Sequence, residues 1–574
     1  MKTAKSYDSA TRLSFRPELT HCPHCQSRLR RSHTAWRKHI FTLKGLFYTT
    51  CYGFVCTNPG CPSGRIVHRS AVAESMSLKF FSFGLDVVAR TAYLRIREKR
   101  TLEEIALNLW TEHQVTISLK EVHNLLQAYY VLNSCYHELD QSSLDGMRKN
   151  GIILSIDGVL PEKGNDCLFL LRDTISGTIL LAESLDIQSA DQIARLIEKV
   201  KSLGVRILAV ISDKQKEIVM AVERTLPGVP HQFCHFHFYN NLARPVVRLD
   251  GNLKTQLRKR LRRVGDIEAA ARKMGEGSKS RSGSGSGSCG SEAREEKGER
   301  ERQEEVEVEV EVEVGVGVVL DFCNAVRTAS LTQGKYPLDP GGLKLYENTR
   351  SISSSVQRCL ERRDSRLLRR LDRMLLAYKE FEERYRVVSW LYLYIFQVCR
   401  ILSQDAGPDR VKADLGEFLD SLGLMINLDL FPYCDEIGPD KVFDALKNMV
   451  KIAQSFWDGL FYTYGDSRIP KTNNDMESLI GFFKVGQRRI TGRRSCQSFV
   501  VRWGSLFVLV DFGADQEQIL RTVRSIPYSM FRRRREEFLE RDEKHRKRYR
   551  IRRNLASFLA SLEKRWEAID QSAR

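Results

Sequence analysis

The sequence predicts an α+β protein built from several domains. Its 574 residues exceed one folded core, since a domain typically holds about 100–200 residues. Five cysteines crowd between Cys22 and Cys61, strand-like runs fill the stretch from Gly151 to Phe233, and helical spacing dominates most of the remainder. These observations predict a zinc ribbon, a helix-turn-helix and a mixed α/β core with an all-α insertion.

The charge of the chain favours a polyanionic partner. Lys and Arg exceed Asp and Glu by 91 − 72 = 19, and the sequence pI is near 9.3. Such a surplus favours nucleic acid, although a merely soluble basic protein is the alternative. Hydrophobic residues at 42% and charged residues at 28% give a globular balance, which excludes a wholly disordered, fibrous or membrane-bundle protein.

Neither a secretory signal nor a membrane span is expected. Met1 to Phe15 lacks an apolar segment, and the longest apolar run, Val387 to Cys399, is too short to cross a bilayer and predicts a buried helix. The remaining nine cysteines are scattered singly from Cys135 onward. This usage predicts a reducing, cytoplasmic compartment.

Two cysteine pairs predict one structural Zn²⁺ in a ribbon spanning 15–70. Cys22-Pro-His-Cys25 and Cys56-Thr-Asn-Pro-Gly-Cys61 each close a short loop, so four thiolates can complete a tetrahedral shell. Cys51 could replace Cys56, and His24 is a less favoured ligand. The basic residues between the pairs are expected to face DNA phosphates; they are Arg28, Arg30, Arg31, Arg37 and Lys38.

The segment 75–142 has the pattern of a helix-turn-helix. Phe80 to Leu94 has helical apolar spacing, and two capping boxes follow, Thr101 with Glu104 and Ser118 with Glu121. The second capped helix would then enter a DNA major groove. An ordinary helical hairpin is the alternative.

The segment 150–245 alternates strands and helices in the order of a ribonuclease-H-like mixed sheet. The expected strands are Gly151 to Asp157, Cys167 to Arg172, Thr178 to Glu183, Val205 to Ser212 and His231 to Phe233, with helices from Ala190 to Leu203 and Lys214 to Thr225.

A helical insertion at 246–465 is expected to interrupt this core, which resumes over 466–525 and is followed by a basic helical tail at 526–574. Residues 275–317 are of low complexity, and their Gly/Ser part predicts a flexible linker. The Val/Glu alternation from Val306 to Val314 is expected to be mostly disordered, and a strand with one apolar face is the alternative.

Three acids are the candidate catalytic residues. Asp157 and Asp213 end the first and fourth expected strands, which are neighbours in such a sheet, so their carboxylates should converge. Glu477 would complete the site from the start of a helix. Asp475 is the rival acid, but it lies about 200° round that helix. Close carboxylates suit Mg²⁺ or Mn²⁺ and in-line phosphoryl transfer.

These motifs resemble DDE transposases of prokaryotic insertion sequences that carry a zinc ribbon and a helix-turn-helix, within the Mutator-like superfamily. The matching residues are Ser155-Ile-Asp157-Gly, Ile211-Ser-Asp213, Cys234-His-Phe-His237, Thr472-Asn-Asn-Asp-Met-Glu477 and the run from Lys484 to Gly492. Both the pair Cys234 and His237 after the second Asp and the helical insertion before the Glu are features of that superfamily.

The resemblance implies a triad, Asp157, Asp213 and Glu477, holding two Mg²⁺ (or Mn²⁺) ions, with Cys234 and His237 beside it. It implies cleavage at the terminal inverted repeats of a transposon and strand transfer into target double-stranded DNA, by a homodimer or higher oligomer in a prokaryotic nucleoid. The residues expected along the phosphates are Lys484, Arg488, Arg489, Arg493 and Arg494.

Two other functions stay open at this stage. A domesticated or decayed transposase would act only as a zinc-containing, sequence-specific DNA-binding protein, and the low-complexity stretch favours that reading. The other is a structure-specific nuclease on the same fold, a function that does not explain the two N-terminal DNA-binding modules.

Overall fold

A computed structural model describes residues 10–139, 142–159, 166–281, 315–493, 495 and 497–572. The chain divides into two compact units. The first unit combines Met1–Val229 with Asn473–Arg574, and the second is Pro230–Thr472. The second unit is therefore inserted, in chain order, within the first.

The N-terminal sheet has three strands in the order β1-β3-β2. They are β1 (Thr11–Phe15), β2 (Leu29–Thr42) and β3 (Gly45–Cys56). β2 and β3 form an antiparallel hairpin joined by a two-residue turn at Leu43 and Lys44. Gly45, which follows the turn, has a φ of 124°, a conformation that favours glycine. Leu29 pairs with Cys56 at the open end of the hairpin, so the loops before β2 and after β3 meet there.

Five helices follow the ribbon: α1 (Ala71–Met76), α2 (Leu85–Ile96), α3 (Leu102–His113), α4 (Leu119–Leu139) and α5 (Ser142–Asn150). The capping box of Thr101 and Glu104 is confirmed. At α4, Ser118 Oγ accepts a hydrogen bond from the Glu121 amide, while the Glu121 carboxylate accepts one from Asn124. The expected helix start at Phe80 is wrong, because Phe80 has a φ of +67° and α2 begins only after Gly84.

Helix α4 is buried along most of its length. Its side chains from Val122 to Cys135 are buried or half-buried, and the exposed residues of its first turn are Leu119 and Lys120. A recognition helix contacts bases mainly through its N-terminal residues. Recognition of the DNA major groove by α4 therefore remains a prediction, limited to the exposed residues of that first turn.

The second sheet of the first unit contains β4 (Ile152–Val159), β5 (Cys167–Asp173), β6 (Ile179–Leu185) and β7 (Ile207–Ser212), with α6 (Ala190–Lys201) and α7 (Lys216–Thr225). Within this unit the strand order is β6-β5-β4-β7. β4 runs antiparallel to β5 and parallel to β7. The expected neighbourhood of the first and fourth strands is confirmed.

The second unit is almost entirely helical. Its elements are β8 (His231–Phe233), α8 (His235–Leu261), α9 (Val264–Arg281), α10 (Gly341–Arg362), α11 (Arg366–Leu375), α12 (Glu382–Leu402), α13 (Pro408–Asn427), α14 (Pro439–Phe456) and α15 (Tyr462–Gly465). Residues 315–330 are also helical, with 3₁₀ turns at Leu376–Phe381 and Trp457–Gly459. The expected domain boundary at 246 falls inside α8. The Val306 to Val314 alternation lies outside the described residues.

The apolar run from Val387 to Cys399 lies within α12, whose inward side is buried as expected. Of the helices in the described part of the chain, none combines the length and hydropathy needed to span a membrane.

The chain returns to the first unit through five helices: α16 (Asn474–Thr491), α17 (Gln497–Phe507), α18 (Gln516–Arg524), α19 (Tyr528–Arg553) and α20 (Leu555–Ser572). One face of the second sheet packs on α6 and α7 through residues such as Leu154 and Phe169. The other face packs on α17, where Leu168 and Leu170 join the cluster of Val500 and Trp503. Helices thus cover both faces of the mixed sheet.

A buried carboxylate in the second unit connects two of its helices. Asp250 on α8 is 0% exposed, and it accepts hydrogen bonds from Tyr336 Oη at 2.6 Å and from the amides of Gly342 and Leu343 at 2.8 Å. Those two amides belong to the first turn of α10, where helix donors otherwise lack partners. Asp250 therefore caps α10 from another helix.

We expect Asp250→Ala to lower the free energy of unfolding by about 3 kcal/mol, because it leaves buried helix amides without an acceptor. Tyr336→Phe, which removes one of the three bonds, should cost about 1 kcal/mol. Asp440→Ala, an exposed acid in the first turn of α14, is the matched control and should cost about 0.5 kcal/mol. Urea unfolding of the three variants measures this, and equal losses for Asp250 and Asp440 would contradict the capping role.

Candidate functional site

Four cysteine sulfurs form a compact cluster at the open end of the ribbon hairpin. The Sγ atoms of Cys22, Cys25, Cys56 and Cys61 all lie within 4.8 Å of one another. Cys22 Sγ is 3.8 Å from Cys61 Sγ, and Cys25 Sγ is 3.4 Å from Cys56 Sγ. Zinc–sulfur bonds of about 2.3 Å in a tetrahedron place the sulfurs about 3.8 Å apart. The cluster therefore has the dimensions and the ligand set to bind one zinc ion.

The geometry of the cluster shows which cysteines can serve as zinc ligands. In the described part of the chain the cluster comprises those four residues and includes neither Cys51 nor His24. Cys51 lies within β3, opposite Phe15 and Trp36, and burial raises the pKa of its thiol. Hydrogen bonds from Ser27 lower the pKa of Cys25 to about 6.

We expect the purified chain to hold about one zinc per molecule, because four thiolates complete a single shell. Cys56→Ser should abolish stoichiometric zinc, while Cys51→Ser, a buried cysteine on the same strand, should retain it. Acidification should release the metal, since protons compete for the thiolates. Elemental analysis after dialysis provides the measurement, and zinc retained by Cys56→Ser would contradict this ligand set.

The basic residues of the ribbon differ in their exposure to solvent. Arg28, Arg30, Arg31 and Arg37 are exposed, as expected for a phosphate-facing surface. Lys38 is different, because its Nζ donates to the carbonyl of Leu78 at 2.9 Å and to Ser77 Oγ at 3.2 Å. Burial lowers the pKa of Lys38 to about 8. The expectation that Lys38 faces phosphates is wrong, since its ammonium instead ties β2 to the turn before α2.

This difference predicts a difference in salt dependence. Each phosphate contact contributes about 0.9 to the slope of log K against log salt on duplex DNA. If the ribbon binds DNA, Arg30→Gln should reduce the slope by about 1, whereas Lys38→Met should leave it unchanged and lower thermal stability. Titrations at several salt concentrations measure the slope, and a reduced slope for folded Lys38→Met would contradict the inward role.

The strand register brings Asp157 and Asp213 to the same end of two neighbouring strands. Ile156 of β4 pairs with Ser212 of the parallel strand β7, so the next residues on each chain lie side by side. Neighbouring strands are about 4.8 Å apart. Both aspartates are half-buried. Burial, followed by the charges of Asp157 and Asp213, raises the pKa of the Cys167 thiol to about 12.

Asp157 lies on the face of the sheet that carries α17. It pairs with Leu170 of β5, and directly paired residues share a face. On the same face, Ser155 Oγ donates a hydrogen bond of 2.5 Å to Asn473 Oδ1. Asn473 is the residue immediately before α16. This bond attaches the N-terminal end of α16 to the strand that carries Asp157.

Glu477 lies in the first turn of α16, and its side chain lies outside the described residues. The rival acid Asp475 is 79% exposed and 3.8 Å from Arg172. Because Asp475 is so exposed, its setting does not favour metal binding within a partly buried site.

The sequence pair Cys234 and His237 begins the long helix of the second unit. Cys234 is the N-cap residue of α8 and is buried, and His237 is half-buried in the first turn. Their place beside the acids remains a prediction. The residue between them that sequence reasoning missed is His235, whose Nε2 is 3.0 Å from the Leu460 carbonyl. Burial lowers the pKa of His235 to about 4, so it is a neutral structural residue.

The predicted phosphate-binding residues of α16 and the following loop are exposed where they are described. Lys484, Arg488, Arg489 and Arg493 are all exposed, and Arg494 lies outside the described residues. Lys484 and Arg488 are four residues apart and therefore share one face of the helix. This face is electropositive and accessible to a polyanion.

Comparison with known proteins identifies one segment of the chain. Residues 178–282 match the family model described as "Transposase, Mutator family". The match includes Asp213, Cys234 and His237, whereas Asp157 and Glu477 lie outside it. No curated protein matches the chain. The match confirms the resemblance to Mutator-like transposases that the sequence motifs indicate.

Proposed function

We propose that the protein is a DDE transposase that binds transposon ends and catalyses strand cleavage and strand transfer. One observation carries the proposal: β4 and β7 bring Asp157 and Asp213 together on the face to which Ser155 and Asn473 attach the start of α16, the helix of Glu477. The Mutator-family match supports the same class of activity.

The catalytic core is proposed to be ribonuclease-H-like. Support comes from three consecutive antiparallel strands, β4 to β6, followed by a parallel strand next to β4, with helices on both faces. This order places the C-terminal ends of β4 and β7 beside each other. The acids at those ends are Asp157 and Asp213.

Each carboxylate has a defined role in this proposal. Asp157, Asp213 and Glu477 would hold two Mg²⁺ or Mn²⁺ ions, which would activate the attacking hydroxyl and stabilise the leaving oxygen. The donor set fits, since paired carboxylate oxygens are the ligands that these cations prefer. Ser155 and Asn473 act as positioning residues because their bond fixes the start of α16 against β4.

DNA would be held by the exposed basic residues on the chain. Lys484, Arg488, Arg489 and Arg493 follow Glu477 in sequence, so phosphates bound along α16 lead towards the acids. The proposed partners are the terminal inverted repeats and target duplex DNA, bound by a homodimer or higher oligomer. Sequence recognition would come from the N-terminal ribbon and the first turn of α4.

We expect Asp157→Asn and Glu477→Gln to reduce cleavage of terminal-repeat DNA in Mg²⁺ by more than about 100-fold, while DNA binding is retained. Ser155→Ala should reduce the rate by about 10-fold, because it removes a bond that positions α16. Single-turnover cleavage and band-shift assays on the same preparations provide the two measurements.

Asp475→Asn is the matched control, since it removes an exposed acid from the same helical turn and should cleave like the parent. Cleavage by Glu477→Gln at the parent rate would refute the triad. A parent protein that shifts terminal-repeat DNA but cuts in neither Mg²⁺ nor Mn²⁺ would instead support a DNA-binding protein without catalysis.

A further inference from the structure

A cavity of about 620 Å³ lies within the first unit, among α2, α4, α17, α19 and the C-terminal end of α16. Its volume falls within the range of about 300–1,000 Å³ typical of small-ligand sites. Its walls come from Arg95, Gln127, Arg502 and Tyr549, among other residues. Neither Asp157 nor Asp213 is among them. The cavity is therefore distinct from the strand ends that carry those two acids, and it shares only Arg493 with the basic residues proposed to hold DNA.

The cavity is strongly electropositive. Five arginines line it, namely Arg95, Arg493, Arg502, Arg546 and Arg550, and no acidic side chain among the described residues does. Asp542 behind the wall binds Arg502 at 2.6 Å and Arg546 at 2.8 Å, and Glu543 binds Arg550 at 2.6 Å. Even after both acids are subtracted, 5 − 2 = 3 positive charges remain. Such a cavity attracts an anion.

Two residues of the cavity wall, Gln127 and His545, each carry a buried polar atom without a protein partner among the described residues. These atoms are Gln127 Nε2 and His545 Nδ1. Buried polar atoms in native proteins almost always bind something, so each such atom calls for a ligand or a water. An amide and an imidazole offer the donors and acceptors that the edge of a nucleobase requires.

The cavity also offers an aromatic ring at its rim. Tyr549 is 59% exposed. Trp503, by contrast, is buried and stacks on Phe538 at a centroid distance of 4.8 Å, so its ring is part of the core. A ring accessible beside arginines is the combination that holds an unstacked base and its phosphate.

We propose that this cavity binds one unstacked nucleotide of a single-stranded DNA segment, with the base against Tyr549 and Gln127 and its phosphate on Arg493 and Arg550. The assignment to DNA rests on the proposed transposase function, whose cleaved ends expose such strands. The larger cavity of about 870 Å³ in the same unit mixes acids, Glu138 and Asp511, with bases, Arg521 and Arg534. It therefore lacks this complementarity to an anion.

The test uses the full-length protein and a fluorescent, short oligothymidine, with no divalent metal added. Tyr549→Leu should weaken binding about tenfold while Tyr549→Phe retains it, because base stacking needs only the ring. Gln127→Leu should also weaken binding about tenfold without lowering the thermal midpoint, since the removed amide nitrogen has no hydrogen-bond partner among the described residues. Tyr136→Leu, an aromatic of the larger cavity, is the matched control and should bind like the parent.

Several outcomes would overturn the assignment. They are strand binding by Tyr549→Leu within twofold of the parent, equal loss of duplex binding in that variant, or tenfold tighter binding of oligouridine. If thymidine monophosphate displaced the labelled oligothymidine as effectively as the unlabelled strand does, the ligand would be a free nucleotide and not a DNA strand.

The proposed function is tested separately by cleavage in Mg²⁺. A parent that fails to cleave, together with strand binding that depends on Tyr549, refutes the transposase while supporting the cavity as a strand site. A parent that cleaves, together with a Tyr549→Leu variant that binds the strand unchanged, refutes the cavity alone.

Discussion

The parallel register between β4 and β7 is the constraint on which the candidate catalytic site depends. A shift of one residue would turn either Asp157 or Asp213 to the opposite face, because side chains alternate along a strand. The register is consistent with burial, since Leu154 of β4 and its partner Val210 of β7 both pack in the cluster that faces α6 and α7. The pairing that buries these apolar side chains also places the two aspartates at neighbouring strand ends.

Several hydrogen bonds connect the two parts of the first unit, and the bond between Ser155 and Asn473 does so at the candidate site. Ser155 and Asn473 are 318 residues apart in sequence, and the whole second unit lies between them. Closing so long a loop costs little more entropy than closing a shorter one, because the cost grows only with the logarithm of loop length. An insertion can therefore separate β7 from α16 without preventing the core from assembling. The second unit has its own anchor in Asp250, which joins α8 to the start of α10.

Charged groups in this protein are buried only where several partners hold them. Lys38 enters the ribbon because carbonyls and a hydroxyl surround its ammonium, and Asp542 is buried because Arg502 and Arg546 both bind it. Each group loses its hydration on burial, and several charge-assisted hydrogen bonds compensate for that loss. The arginine-lined cavity differs, since its charges exceed those of the acids behind it. That imbalance, together with the polar atoms of Gln127 and His545, is what distinguishes a binding surface from a structural ion pair.

The sequence alone determined the local features, because they depend on neighbouring residues. These were the cysteine loops, the Thr101 capping box, the strands of the mixed sheet and the acids at the ends of two of them. Tertiary structure decided what depends on distant contacts. It selected Cys56 over Cys51, turned Lys38 inward and began α2 after Gly84, and it gathered five arginines from four segments around one cavity. Local patterns report propensity and periodicity, whereas the partner that a side chain meets is fixed only when the chain is packed.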